Sequence, residues 1–304
     1  MHKQEATSCT NKKNEPTKHL IFKIDRMKKI SFLAIFMVVL LLGFNSISLG
    51  QVLLNENFDY PAGDLITAHG WAAHSGPGSQ AITVGTPGLT FPGYIGSGIG
   101  NCALADNTGE DDNKTFTTQT SGVVYTSFMV KVNSAITAAG YFYHFSVNPI
   151  NTTFRGKVFI DATNHFGVSV GSNTGTYAAS TFTVGTTYLI VVKYEIVAGT
   201  SNDKVSLFVF NASVPVSEPV ATIGPLTEAT SDINPGSVAI RQFVNTENIS
   251  IDGIRVATTW AELLPVVPQP IPTMSEWGLI FLFIALSAVG AVYILRRKNS
   301  EVSI

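Results

Sequence analysis

Two long apolar runs, residues 32–44 and 279–295, bracket a region in which hydrophobic side chains recur at every second position. Within it, residues 124–132 place Phe128, Val130 and Val132 on one side and Ser127, Met129 and Lys131 on the other, the pattern of a strand with one face in a core and one in water. Residues 188–196 repeat it: Ile190, Val192, Tyr194 and Ile196 point inward and Lys193 and Glu195 outward, while Leu189 and Val191 imply that part of the outer face is covered. Further strands are predicted over 52–55, 81–84, 102–105, 141–147, 154–161, 166–170, 205–210, 219–223, 237–241 and 249–256. About a dozen short strands separated by Gly, Asn and Ser, which tolerate tight reversals, predict an antiparallel all-β sandwich or barrel. The helical signal is confined to residues 259–264, so one β domain over 51–264 is expected, long enough to bury a substantial core.

The flanking runs carry an address. Met27, Lys28 and Lys29, the apolar run 32–44, and the small residues Ser48 and Gly50 have the three-part layout of a secretory signal peptide over 27–50, cleaved after Gly50 by signal peptidase. The polar, lysine-rich residues 1–26 sit awkwardly ahead of an export signal, and Met27 is expected to be the true start. At the other end a Pro-rich linker with a short motif (265–276) leads into an uncharged stretch. The eighteen residues 278–295 would reach about 27 Å as a helix, enough for one crossing of a bilayer. Arg296, Arg297 and Lys298 then hold the tail 296–304 in the cytoplasm and leave the domain outside, with Trp277 at the outer interface of a membrane helix over 277–295.

Composition sharpens this. Cys102 is the thiol that remains between residues 51 and 264, so no disulfide within the domain is expected even in an oxidising compartment. Residues 51–270 hold eight basic and sixteen acidic side chains, a net of −8 that the whole-chain value of −2 conceals. Nucleic acid and anionic lipid, which need a positive face, are excluded as partners on that ground.

Three segments carry a family resemblance: 187–194 (Thr-Tyr-Leu-Ile-Val-Val-Lys-Tyr), 204–209 (Lys-Val-Ser-Leu-Phe-Val) and 251–260 (Ile-Asp-Gly-Ile-Arg-Val-Ala-Thr-Thr-Trp). They resemble the closing strands of concanavalin A-like, laminin-G-like jelly rolls of exported bacterial proteins. Residues 55–63 resemble the opening of the same domains, whose first strand pairs beside the last. The resemblance implies a jelly-roll sandwich that serves lectins, glycan hydrolases and adhesive modules alike. Separately, Ile271, Pro272, Thr273, Met274, Ser275, Glu276, Trp277 and Gly278 resemble an IPTL-type sorting signal, with Met274 in place of the usual leucine. That resemblance implies an exosortase-like membrane protease as partner.

Candidate chemistry is sparse. A glycan hydrolase needs two carboxyl groups facing one sugar, and no predicted strand offers two acidic residues at i and i+2. Asp111 and Asp112 are adjacent and diverge, Glu195 has Lys193 two positions before it, and Asp161 ends its strand alone. Asp106, Asp111 and Asp112, with Glu110 among them, form an acidic loop cluster that could take calcium, although the alternating oxygens and bidentate glutamate of an EF-hand are missing; no other cofactor is expected. His69, His74, His144 and His165 read as scattered loop and strand residues. Sugars stack on aromatic rings, and Trp71, Tyr141 and Tyr143 are the candidates for such contact, Tyr141, Tyr143 and Phe145 lining one side of a strand against Phe142 and His144 on the other. Trp260 is expected to plug the end of the sandwich.

The expectation is an exported, envelope-associated protein, anchored by its C-terminal helix or released from it, whose domain binds or belongs to extracellular polysaccharide without catalysis. An atypical glycan-cleaving enzyme and a purely structural matrix component are the alternatives.

Overall fold

The computed structural model describes residues 50–106, 108–244, 248–265, 281 and 283–287. Strands run in chain order as β1 (Val52–Glu56), β2 (Ala72–Ser75), β3 (Thr83–Gly85), β4 (Cys102–Ala105), β5 (Asp111–Thr115), β6 (Gly122–Val132), β7 (Gly140–Ser146) and β8 (Arg155–Ile160). They continue as β9 (His165–Ser169), β10 (Thr176–Thr181), β11 (Thr187–Ile196), β12 (Lys204–Phe210), β13 (Ile223–Thr227), β14 (Ser237–Ile240) and β15 (Ile249–Ala257), followed by a short helix α1 (Trp260–Leu263). The result is an all-β sandwich of two antiparallel sheets. One has eight strands, ordered β13-β12-β11-β6-β15-β4-β3 with β1 also paired to β15; the other has seven, ordered β10-β9-β8-β7-β14-β5-β2. The first strand does lie beside the last, Val52 opposite Ala257 and Glu56 opposite Ile254.

Between the sheets the alternating residues meet as the pattern predicts. Phe128 on β6 packs on Phe142 and Tyr143 of β7 with ring centroids 6.1 and 4.3 Å away, and Ile190, Val192 and Tyr194 of β11 are fully buried. The outer face of the eight-stranded sheet departs from expectation. Ser127 and Met129, predicted to face water, are buried, because Leu89, Phe91 and Tyr94 of the long β3–β4 connection fold over them into a second apolar layer. The Tyr94 hydroxyl ties that loop down, donating to the Gly253 carbonyl and meeting Ser127 Oγ at 2.8 Å. Trp260 belongs to this layer, edge-on to Tyr125 and Phe208 at 5.9 and 5.1 Å; it covers an outer face rather than plugging the gap between sheets.

Strands β2, β5 and β10 were not predicted, and the run expected over 219–223 lies instead at Ile223–Thr227. Among the described residues no helix is long and apolar enough to cross a membrane. The upstream extension, the signal peptide up to residue 49, the sorting motif 271–278 and the basic cluster 296–298 lie outside the described residues. Of the segment expected to cross, residues 281 and 283–287 are helical. Phe281, Phe283, Ile284 and Leu286 there are exposed, and Ser287 Oγ donates to the Phe283 carbonyl.

Candidate functional site

The eight-stranded sheet has its outer face covered, which directs attention to the outer face of the seven-stranded one. Two irregularities decide what stands there. Against β8, β7 carries an extra residue between Tyr141 and Tyr143, and β8 carries one between Arg155 and Val158, where Gly156 adopts φ +56°. Such bulges re-aim the side chains that follow. Phe142 and Tyr143 therefore both turn into the core, and Tyr141 and His144 share the outer face; the simple alternation that grouped Tyr141, Tyr143 and Phe145 fails at this point.

Tyr141 is half-buried and flanked by two cations. The Arg241 guanidinium lies 4.2 Å and the Lys157 ammonium 4.7 Å from its ring centroid, both within cation–π range. Arg241 donates to the Tyr141 carbonyl at 3.2 Å, and its Nε is 4.0 Å from Asp111 Oδ2. Lys157 donates to the Gly171 carbonyl and to Asn173 Oδ1, each at 2.9 Å. Burial pulls the Lys157 amine down to about 8. Phe159, two residues along β8, stands 5.6 Å from Tyr141 and is roofed by Tyr177 at 6.4 Å.

His144 lies under this group, its ring centroid 5.8 Å from Tyr141 and 4.1 Å from Phe154. Its Nδ1 is 3.1 Å from the Phe145 carbonyl. A carbonyl only accepts, so Nδ1 carries the proton and Nε2 is a bare acceptor. Nε2 is buried and has no partner, and the same is true of His74 Nδ1 in the ring 6.0 Å away. Burial holds both rings neutral, at about 3 and about 4.

The other predicted residues disperse. Trp71, 3 % exposed, stacks on Phe58 at 5.7 Å and donates from Nε1 to Glu56. Tyr143 is fully buried with its hydroxyl 2.8 Å from Thr126 Oγ1. Neither ring reaches a surface, so both are corrected from sugar contacts to core residues. Asp111 and Asp112 leave β5 in opposite directions. Asp111 accepts from the Gln242 amide at 2.9 Å and is pushed to about 6 by burial. Asp112 sits opposite the core residue Ile240 and is wholly buried. Asp106 is exposed, and among the described residues no three His, Cys, Asp or Glu side chains converge to hold a metal ion. His69 stacks on Tyr60 at 3.9 Å and bonds Asp64 at 2.9 Å. A cavity of about 320 Å³ at one end of the sandwich is bordered by Asp203 and Asp232, whose carboxylates already accept from Tyr194 and from backbone amides.

Sequence reasoning missed Lys157, Arg241 and the role of His144. Lys157 and Phe159 do stand two apart on the outward side of a predicted strand, a detectable signal. The side on which Tyr141 falls depends on bulges that no alternation reveals.

With this face defined, comparison with known proteins places the other end of the chain. Residues 269–298 match the IPTL-CTERM motif. That motif marks an exported protein sorted to the cell surface. No curated protein matches the chain in sequence. Among solved structures, the globular domain of T. cruzi calreticulin is similar at 12% identity and TM-score 0.45, covering 80% of this chain and 100% of that one. An alginate lyase in complex with alginate trisaccharide has 14% identity and TM-score 0.45 over 67% and 97% of the two chains. A carbohydrate esterase from a Shiga toxin-encoding bacteriophage has 12% identity and TM-score 0.40 over 69% and 99%. At such scores no site or activity is carried over.

Proposed function

We propose that this chain is exported by a cleaved signal peptide and sorted by an exosortase-like membrane protease, and that its jelly-roll domain holds extracellular polysaccharide without cleaving it. The membrane helix over 277–295 anchors the domain outside until that protease acts. The observation that carries the binding role is Tyr141: an aromatic ring presented outward on a sheet face, between Lys157 and Arg241, where an apolar sugar face can stack.

The arrangement of carboxyl groups favours binding over hydrolysis. Two acids must flank a sugar about 5 to 9.5 Å apart. Asp111 lies on the Tyr141 face beside Arg241, whereas Glu110 and Asp112, which do stand at i and i+2, are 4 % and 0 % exposed.

A polysaccharide panel tests the reading. Retention of the full chain is expected, with Tyr141→Ala weakening it by about threefold to tenfold. Absence of binding across the panel would leave the structural matrix role. Release of reducing ends would establish the glycan-cleaving alternative instead. Sorting is read by fractionation: the chain leaves the membrane fraction in cells that carry the protease and stays there in cells that lack it.

A further inference from the structure

Resting on the reading that a leader is cut off after Gly50, we infer that the fold closes over this bond, so that the chain crosses the membrane unfolded and is cut before β1 pairs with β15. The observations lie at the corner where β1 begins. A peptidase takes its substrate as an extended strand whose main-chain groups are free to bond it. In the folded domain those groups already have partners: the Gln51 amide donates to Thr258 Oγ1 at 2.9 Å, and the Gln51 carbonyl accepts from the Thr258 amide at 3.0 Å. On the other side of the bond, Gly50 lies against the start of α1. A Cβ there would overlap Thr259 Oγ1 and stand 2.6 Å from Glu262 Cγ. Both of those residues are fixed, because Thr259 Oγ1 accepts from the Glu262 amide and the Glu262 carbonyl accepts from Arg255 Nε. Gly50 is thus small for two reasons: the peptidase requires a small residue before the cut, and α1 leaves no room for a side chain.

Freeing the bond means lifting the residues beyond it as well. Val52 stands opposite Ala257, Leu53 and Leu54 pack on the core, and Glu56 is buried under four donors, Phe58 N, Tyr60 Oη, Trp71 Nε1 and Lys114 Nζ. Peeling from the Gly50 end therefore begins with the two Gln51 bonds, together worth about a factor of ten or more in the open population, and stops at Glu56. During export the same bond is free for a long interval. Its partner Thr258 follows 207 residues later, which is about 10–40 s at the ~5–20 residues per second of synthesis. Until then neither β15 nor α1 has been delivered, and Gly50 and Gln51 have nothing to lie against. A chain that folded before crossing would present the bond already closed and would keep its leader.

The test takes the full precursor in detergent, folded as shown by a cooperative melt, beside the same precursor diluted from urea straight into signal peptidase. The unfolded form is expected to be cut after Gly50 at least about tenfold faster. Gly50→Ala keeps a residue that the peptidase accepts but cannot seat against Thr259 and Glu262, so the ratio between the two forms should shrink severalfold. Equal rates for the folded and unfolded parent, or a ratio unmoved in Gly50→Ala, overturn the inference and leave the cleaved leader standing. No cut after Gly50 in either form removes both. Where the precursor does not refold, pulse-labelled cells give the order of events directly: the leader is expected to be lost before the domain becomes resistant to added protease, and resistance that comes first overturns the inference.

Discussion

Asp112 has Ile240 and Ala73 as cross-strand neighbours and no exposed surface, yet it carries a carboxyl group. Burial, with Glu110 and Asp111 alongside, lifts its pKa from 3.8 to about 7. Between those values the folded chain keeps a proton that the unfolded chain has released. The stability from this group is therefore full below about pH 4 and is lost as pH rises through 7. Asp252, lifted to about 7 by burial, has the same sign. His144 and His74 have the opposite one: burial keeps them neutral, so folding is favoured as pH rises toward 6.5, where the unfolded histidines also lose their protons. Asp112→Asn removes one side of this balance. It is expected to raise the melting temperature at pH 8 and leave it unchanged at pH 4, and a variant no more stable than its parent at pH 8 would show that the buried acid is not strained. Glu56 is the contrasting case, a buried carboxylate with full company: Phe58 N, Tyr60 Oη, Trp71 Nε1 and Lys114 Nζ all donate to it. Glu56→Ala leaves Lys114 uncompensated under Trp71 and should cost about 3–5 kcal/mol by urea titration.

At the scale of elements, the facing bulges of β7 and β8 decide which side chains reach the outer surface. Gly156 sits in the left-handed region, where an added Cβ also meets the Phe145 ring at 3.1 Å. Gly156→Ala is expected to lose about 1–2 kcal/mol. It should weaken polysaccharide retention as well, because Lys157 and Phe159 follow directly; a variant that loses stability yet retains full binding would separate the bulge from the site. Strands with an apolar side were legible from alternation alone: β4 falls on its predicted residues, and β6 and β11 within two of theirs. The strands that escaped are those whose sequence does not alternate. β5 reads Asp-Asp-Asn-Lys-Thr and turns Asp112 and Lys114 inward, Lys114 onto Glu56 and Asp112 with neither carboxyl oxygen hydrogen-bonded. β2 and β10 are the two edges of their sheet, where burial on one side is slight and the pattern weak. β13 holds Pro225, which an edge strand tolerates because its missing amide faces no partner. The candidate site was half legible: Tyr141 could be singled out as aromatic on a strand, but Tyr143 and Trp71 have the same appearance in sequence and lie in the core.

For the whole molecule, what matters is how far apart in sequence the paired pieces lie. β14 slots between β7 and β5, and β15 between β6 and β4, with β1 on its other half. The seven-stranded sheet is complete only when residue 240 has been delivered, and the eight-stranded one only at residue 257. The described contacts of the sandwich then end within a few residues: the Gln51 amide meets Thr258 Oγ1, Arg255 Nε meets the Glu262 carbonyl, and the Leu264 amide meets the Trp260 carbonyl. The IPTL-CTERM match begins at residue 269, so a sorting cut within it would leave all of these contacts on the released side. A chain ending at residue 265 should accordingly melt within about 2 °C of the full chain. A chain ending at residue 258 loses Trp260, Leu263 and Leu264 from above Tyr125 and Phe208. Removing a buried aromatic costs about 3–5 kcal/mol, which for a domain of this size lowers the midpoint by roughly 10 °C. If calorimetry gave the two truncations the same midpoint, α1 would be an appendage rather than the lid of the eight-stranded sheet, and the domain would end at its last strand.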